Sequence, residues 1–105
     1  MPAYIICTMT IHDPETYRKY TALTPATLAR YGGKFLTRGE PIVSLEGPAF
    51  THRQVILAFP DTATAQAWYN DADYQSASAF RRMASKGQMY LQAGSDNATA
   101  PDPKV

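Results

Sequence analysis

The chain has 105 residues, which is enough for one domain with a modest hydrophobic core that a partner subunit would enlarge. Its 10 lysine and arginine residues nearly balance its 9 acidic residues, and both are dispersed, so the charge pattern argues against binding to nucleic acid or to an anionic membrane. The start of the chain shows no basic secretory leader and no apolar run of about 20 residues, and a single cysteine excludes an intrachain disulfide; we therefore expect a cytoplasmic protein.

The first third of the chain predicts a strand followed by a helix. Residues 3–11 are rich in isoleucine, threonine and tyrosine, which favour a strand. Asp13 as N-cap and Pro14 at the first helical position predict the helix start, and the glycines at 32–33 predict its end. Pro25 predicts a kink or a restart within the helix. The stripe expected to face the core consists of Tyr17, Tyr20, Leu23, Leu28 and Tyr31.

The second strand is predicted in two pieces, at 34–38 and at 42–46, with a break at Gly39-Glu40-Pro41. Proline cannot donate a hydrogen bond to a neighbouring strand, so this strand is expected at a sheet edge or with a bulge.

Two further strands and a broken helical region follow. The strands are predicted at 53–59 and 88–93. Between them, Asp61 opens a helix that runs through Tyr69, and Asp73 caps a second segment that extends to about Lys86 and ends at Gly87.

The resulting order, βαββαβ, predicts an α+β fold: a ferredoxin-like plait whose four-stranded antiparallel sheet has the spatial order 4-1-3-2 and helices on one face. We expect residues 1–94 to form a single domain and 95–105 a loose tail. Alternate residues along the strands form two sets, one for each face of the sheet. One set is wholly apolar and should face the helices. The other set is mixed, which suits a second sheet packed against it in a homodimer. That mixed set comprises Tyr4, Ile6, Thr8, Thr10, Gln54, Ile56, Tyr90 and Gln92.

Residues 2–94 resemble the small bacterial family known as domain of unknown function 1330, in the dimeric α+β barrel superfamily. The stretches that carry the resemblance are PAYII, DPETYRKY, YGGKFLTRG, LEG, RQVILAFPD and AWYNDADYQ. The resemblance implies two plaits whose sheets face each other, with ligand clefts between each sheet and its helices. It implies no single reaction, because superfamily relatives include muconolactone isomerases, cofactor-independent oxygenases and haem-degrading enzymes.

Motifs for several chemistries are missing from the sequence. The glycines at 32–33 lie between a helix and a strand and lack the following Lys-Ser/Thr, so they do not form a P-loop. His12 and His52 have no companions at metal-ligand spacing, and we predict neither a metal nor a cofactor; haem is suggested only by the superfamily. No G-x-S-x-G elbow is present, and Cys7 is interpreted as a small core residue.

Two arginines in predicted strands raise the question of what balances their charge. Arg38 and Arg53 would be partly removed from water if both sheet faces are covered, and an uncompensated buried guanidinium is costly. Arg38 has three interpretations: an internal pair with Glu46 or Glu40, exposure at the rim, or a fork presented to a ligand carboxylate. Arg53 has the same structural, exposed and ligand-binding alternatives.

Aromatic side chains support a binding cleft. Tyr31 ends the first helix, and Trp68, Tyr69 and Tyr74 cluster where the second helix breaks, so all four are candidate ligand-binding residues. The alternative is that they belong to the core. Arg81 belongs to a solvated face or, being in helical phase with Tyr74, points into the same cleft.

These residues predict a cofactor-free isomerase, lyase or oxygenase that acts on a small carboxylated or lactone-like metabolite. Arg38 would hold the carboxylate, and Glu46 or His52 would move the proton. A carboxylate beside an arginine is a poor base because its pKa falls, which favours an ion pair for Glu46 instead. The alternatives are a homodimer that binds a small ligand without catalysis and a purely structural homodimer.

Overall fold

A computed structural model describes residues 1–95 and 99–104 and shows an antiparallel four-stranded sheet with three helices. The elements are β1 (Ala3–Ile11), α1 (Pro14–Arg30), β2 (Lys34–Arg38), β3 (Arg53–Phe59), α2 (Thr62–Asn70), α3 (Ala72–Ala84) and β4 (Ser85–Ala93). The strands lie in the order β2-β3-β1-β4, so the predicted α+β plait and its 4-1-3-2 order are confirmed. The single domain and its tail stay a prediction, and tail residues 96–98 and 105 lie outside the described residues.

The two faces of the sheet differ as their strand phases predict. In β1 and β3, alternate residues are buried against the helices, among them Ile5, Cys7 and Leu57. The opposite face, which we call the open face, carries Tyr4, Ile6, Thr8, Gln54 and Ile56, all partly exposed in the single chain. None of the helices that the structure describes has the length and apolar character needed to cross a membrane.

Helix α1 is continuous, so of the two alternatives predicted at Pro25, a kink or a restart, the restart is wrong. Thr24 does not cap a new helix, because its hydroxyl donates to the Tyr20 carbonyl at 2.8 Å. Pro25 is exposed, so the helix keeps its packing through the buried residues on its other face. The predicted core position of Leu23 is also wrong: this side chain is 49% exposed, and Thr24 and Thr27 are buried instead.

The glycines at 32–33 end α1 as predicted. Gly32 has φ of 66°, and its N–H donates to the Ala29 carbonyl, while the Gly33 N–H donates to the Leu28 carbonyl. This pair of bonds is the Schellman arrangement, which satisfies carbonyls in the last helical turn. A Cβ on Gly33 would lie 2.8 Å from the Phe59 ring, so the turn also needs a small residue for packing.

Strand β2 is an edge strand with a bulge, as expected, but it ends at Arg38. The predicted second piece at 42–46 is not a strand, and residues 39–52 are irregular and exposed. The bulge falls at Leu36, because Phe35 pairs with Leu57 whereas Thr37 pairs with Ile56. Strand-favouring residues at 42–46 gain no pairing partner, which overrides their local preference.

The predicted boundaries around α3 need correction. Its N-cap is Asp71 and not Asp73, because the Asp71 carboxylate accepts from the N–H groups of Asp73 and Tyr74. Gly87 does not end the helix: α3 ends at Ala84, and Gly87 lies inside β4. A Cβ there would come within 2.1 Å of the Thr8 carbonyl oxygen, so the glycine permits close approach of β1.

Candidate functional site

An inner cavity lies between the sheet and α1. It has a volume of about 30 Å³, enough for one or two water molecules, and it adjoins a wider cleft of about 380 Å³. Tyr17, Thr21, Arg38 and Arg53 line both spaces, and we call this shared boundary the passage. The remaining residues that line the inner cavity are Cys7, Met9, Tyr20, Thr24, Phe35, Val55 and Leu57.

Arg53 is the less exposed of the two arginines at this passage. It is paired with Met9 across the β1–β3 ladder, on the face that packs against the helices. Its Nε is buried and has no hydrogen-bond acceptor among the described residues, and its Cζ lies 5.8 Å from the centre of the Tyr17 ring. The guanidinium passes directly over Gly39, where an added Cβ would lie 2.2 Å from Nη1.

Arg38 reaches the same passage because of the bulge in β2. Without the extra residue, Leu36, the side chains of Phe35 and Arg38 would lie on opposite faces; with it, both share the helix-covered face. The Arg38 guanidinium stacks over the Phe35 ring with its Cζ 3.9 Å from the centroid. Arg38 forms no ion pair with Glu46 or Glu40 within the described residues, and its side chain is exposed, which matches the rim alternative in the single chain.

Glu40 follows Arg38 by two residues, and its carboxylate is occupied locally. It accepts a hydrogen bond from the Arg38 backbone N–H and another from the Thr37 hydroxyl at 3.0 Å. The Arg38 N–H, the Thr37 hydroxyl and, more weakly, the charge of Arg53 lower the pKa of Glu40. Glu40 therefore stays ionised and leaves the Arg53 Nε without a direct acceptor.

Three buried tyrosines supply hydroxyl groups at the inner cavity or next to it. The Tyr17 hydroxyl lies 3.1 Å from the Met9 sulfur, and the Tyr20 and Tyr74 hydroxyls are 3.0 Å apart. Burial raises the pKa of all three, so they are neutral hydrogen-bond donors at neutral pH. Burial also raises the pKa of Cys7, to about 11, which keeps the thiol protonated and unreactive.

Arg81 approaches these tyrosines from α3, as its helical phase with Tyr74 suggests. It is half-buried, and its Cζ lies 5.8 Å from the centre of the Tyr20 ring. Like Arg53, it has a buried Nε without an acceptor among the described residues.

The other aromatic candidates lie away from the inner cavity. The Tyr31 hydroxyl donates to Asp71 at 2.8 Å, and this bond ties the end of α1 to the α2–α3 junction. Trp68 is fully buried, and its Nε1 donates to the Thr27 hydroxyl at 3.1 Å, which matches the core alternative. Tyr69 lines a separate cleft between α2 and β4.

Glu46 and His52, the candidates for proton transfer, are not among the residues that line the inner cavity. Glu46 is exposed in the irregular segment 39–52. His52 lines a different cleft with Thr8 and Lys86, where its Nδ1 lies 2.7 Å from the Thr10 hydroxyl. The structure therefore does not bring either residue together with Arg38 and Arg53.

The inner cavity is suited to binding a negative charge. Its lining, within the described part of the chain, includes two arginines and two neutral tyrosines but no Asp, Glu or His. Guanidinium and hydroxyl groups donate hydrogen bonds to an oxyanion, whereas none of them is a base at neutral pH. No cluster of three His, Cys, Asp or Glu side chains within residues 1–95 and 99–104 has a geometry for holding a metal.

Sequence reasoning assigned Tyr17 and Tyr20 only to the core stripe of α1 and missed their part in the cavity. A signal was present: leucine would fill a core stripe without a polar group, whereas a buried tyrosine needs a hydrogen-bond partner. Two such residues three positions apart therefore indicate a polar site within the core.

Comparison with solved structures supports the fold. RPA0582, a protein of unknown function from Rhodopseudomonas palustris, has a TM-score of 0.73 at 19% identity, covering 90% of this chain and 83% of that chain. SnoaB, a cofactor-independent oxygenase from Streptomyces nogalater, has a TM-score of 0.64 at 18% identity, covering 96% of this chain and 98% of that chain. These neighbours have the ferredoxin-like fold of dimeric α+β barrels, and at such identities the likeness shows the fold alone.

The comparison by sequence gives the family. No curated protein matches the chain. The family model described as domain of unknown function (DUF1330) matches residues 2–95, nearly the whole length. The chain therefore belongs to the DUF1330 family.

Proposed function

We propose that this protein is a cytoplasmic homodimer that binds a small carboxylate, or an acidic enol in its anionic form, in the cleft between the sheet and α1. The observation that carries the proposal is the buried Arg53 Nε, which has no acceptor among the described residues although it borders a cavity. A buried N–H of a charged group that lacks a partner costs about 1–3 kcal/mol or more, and a ligand oxyanion would remove this cost.

The neighbouring side chains suit the body of such a ligand. The wider cleft has room for the body of such a ligand, with Ile11 and Pro14 as apolar surface and with Arg38 and Tyr17 as donors beside Arg53. A mostly apolar cleft with a few convergent polar groups is typical of sites for small metabolites. The proposal assigns anion binding to Arg38 and Arg53 and hydrogen-bond donation to Tyr17.

The chemistry that this site supports is stabilisation of negative charge. An enolate that develops during a cofactor-free isomerase, lyase or oxygenase reaction would be held by the same donors as a carboxylate. SnoaB, a cofactor-independent oxygenase with this fold, is a precedent for that reaction type by analogy. No step is assigned to Glu46 or His52, because their side chains lie outside the cavity.

The homodimer rests on the open face of the sheet. Ile6 and Ile56 are paired at its centre, flanked by Thr8 and Gln54, which also form a pair. This surface is too apolar to face water over a whole sheet, and a second copy would cover it with a surface of the same kind.

The binding proposal predicts that benzoate binds and that benzamide, its neutral analogue, binds at least about tenfold more weakly, since a charge-assisted pair is worth about 1.5–3 kcal/mol. Arg53→Met should abolish this preference, and Arg53→Lys should restore only part of it because lysine lacks the planar fork. Isothermal titration calorimetry measures both affinities.

Arg82→Met is the matched control, because it removes an exposed arginine whose guanidinium hydrogen-bonds to Gln75 and which lines neither the inner cavity nor the wider cleft. It should leave the benzoate affinity unchanged. Equal affinities for benzoate and benzamide in the unmodified protein would overturn the proposal.

A non-catalytic binding protein is the second candidate, and the missing base among the described lining residues favours it. The enzyme and the non-catalytic binding protein are distinguished by incubating the protein with a carboxymethyl butenolide in D₂O and following the α-C–H signal by proton NMR. Exchange that disappears in Arg53→Met supports an enzyme. Binding without exchange above the buffer rate supports a binder.

A further inference from the structure

The wider cleft is lined by a third arginine, Arg18 of helix α1. Arg18 borders this cleft together with Arg38 and Arg53, but it does not line the inner cavity. It shares one face of α1 with Pro14 and Thr21, because residues three or four positions apart lie on the same side of a helix. The cleft therefore receives guanidinium groups from the helix as well as from strands β2 and β3.

No carboxylate of the described residues is paired with Arg18. The side chain is exposed, and Glu15, three residues earlier in α1, forms no ion pair with it. The next residue, Lys19, places its Nζ 5.7 Å from the centre of the Phe80 ring and does not line the cleft. Arg18 can therefore offer its guanidinium N–H groups to a molecule in the cleft.

The wider cleft carries an excess of positive charge. Its lining, within the described residues, includes three arginines and no Asp or Glu. The Glu40 carboxylate lies beside the cleft, where it accepts from the Arg38 N–H and the Thr37 hydroxyl. Even when its negative charge is counted, two positive charges remain without a partner. A monoanion at Arg53 would balance one of them, whereas a dianion would balance both.

The wider cleft also has the size and surface for a ligand with two acidic groups. Its volume of about 380 Å³ falls within the range of about 300–1,000 Å³ that is typical of small-molecule sites. Ile11 and Pro14 supply apolar surface for a short carbon chain. Arg53 marks the inner end of the cleft because it also lines the inner cavity, whereas Arg18 lines the cleft alone.

We propose that the ligand of the wider cleft is a small dicarboxylate, with one carboxylate held at Arg53 and the other at Arg18. This assignment rests on the proposed function, because the first carboxylate is the one assigned to Arg53. The planar guanidinium of Arg18 matches the two oxygens of a carboxylate. Arg18 is then the residue that selects a dianion over a monoanion.

The test compares succinate, glutarate and adipate, each with its own monomethyl ester, which keeps the chain and removes one charge. In calorimetric titrations, at least one diacid should bind about fivefold or more tightly than its ester, the effect expected for one added ion pair at an exposed arginine. Arg18→Gln should reduce this ratio to about twofold or less, with the ester affinity within about twofold of that of the unmodified protein. Arg18→Lys should reduce the ratio at least about twofold, because lysine keeps the charge and loses the planar fork.

Lys19→Gln is the matched control, because it removes a positive charge from the adjacent exposed position on α1, outside the cleft. It should keep the preference for the diacid. Circular dichroism checks that each variant is folded, which is expected for substitutions at exposed helical positions.

The outcomes separate the role of Arg18 from the proposed function. If neither the diacids nor the esters bind, the anion site at Arg53 is wrong and the dicarboxylate assignment falls with it. If the esters bind and no diacid binds more tightly, only the assignment of Arg18 is overturned. A preference that survives in both Arg18 variants would also overturn it, as would an equal loss in Lys19→Gln, because long-range charge would then explain the preference.

Discussion

Gly39 determines where the Arg53 guanidinium can lie. Its φ of 81° belongs to the left-handed region that favours glycine, and its N–H donates to the Gln54 carbonyl at 3.1 Å. The missing side chain leaves the space that Arg53 Nη1 occupies. One glycine therefore ends the pairing of β2 and holds open the position of the Arg53 guanidinium, the proposed anion-binding group.

Gly39→Ala should weaken benzoate binding several-fold, because the new methyl group would displace the end of the Arg53 side chain. It should also lower the free energy of unfolding by about 1–2 kcal/mol, the cost of a left-handed non-glycine residue. Calorimetric titration and urea denaturation measure the two effects.

Gly47→Ala provides the matched control for this variant. Gly47 has φ of 82°, but no atom lies within 4 Å of an added Cβ. The Gly47→Ala variant should lose about as much stability as Gly39→Ala and should keep its benzoate affinity. If both variants bind benzoate equally well, Arg53 does not depend on the space at Gly39.

At the scale of the elements, Asp71 joins three helices. Its carboxylate caps α3 by accepting hydrogen bonds from the Asp73 and Tyr74 N–H groups. At the end of α1, the same carboxylate accepts hydrogen bonds from the Tyr31 hydroxyl at 2.8 Å and from the Arg30 guanidinium at 3.0 Å. The side chain is 13% exposed. The Tyr31 hydroxyl, the Tyr74 N–H and Arg30 together lower the pKa of Asp71.

The lowered pKa of Asp71 predicts loss of stability in acid. A carboxyl whose pKa is lower in the folded state stabilises the protein above its unfolded pKa of about 3.9, and this contribution is lost as the pH falls through the folded pKa. Asp71→Asn should therefore be less stable at about pH 7 and should lose less stability on acidification. Urea denaturation at about pH 7 and pH 3 gives both quantities.

Asp102→Asn, in the C-terminal tail, serves as the control and should match the unmodified protein at both pH values. If the free energy of unfolding of Asp71→Asn falls with pH by the same amount as that of the unmodified protein, Asp71 does not contribute to the pH dependence of stability.

The elements that sequence predicts well are those with local signals. Asp13, Pro14 and Gly32 define α1 through caps that need no distant partner, and apolar alternation defines β1 and β3. The strand predicted at 42–46 and the helix stop at Gly87 are wrong because both depend on neighbours: the first finds no strand to pair with, and the second packs against β1.

The candidate site could be predicted only in part for the same reason. Arg38 and Arg53 stand out in the sequence because charged residues in strands need compensation. The bulge that turns Arg38 toward α1 and the separation of Glu46 from both arginines arise from the register of β2 against β3, which local sequence does not specify.

At the scale of the whole molecule, the open face predicts a dimer. Light scattering after size-exclusion chromatography should give a mass of about twice the 11.6 kDa of the chain. Ile56→Lys should shift the protein to monomers, because a buried unpaired charge is costly. Ile6, which pairs with Ile56 in the sheet, would lose the same contact with the second subunit.

Met83→Lys is the control for this experiment, because Met83 lies on α3 and is 60% exposed. It should remain dimeric. A monomer in the unmodified protein would remove the basis for packing a second sheet on the open face.

The bulge at Leu36 also alters the exposed edge of the sheet. β2 is an edge strand, and a regular edge offers unpaired N–H and C=O groups on which another chain could add a strand. The extra residue interrupts this pattern within a strand of five residues and so shortens the stretch that could template aggregation. The residue that turns Arg38 toward the cleft thus also protects the edge of the sheet against fibre-like polymerisation.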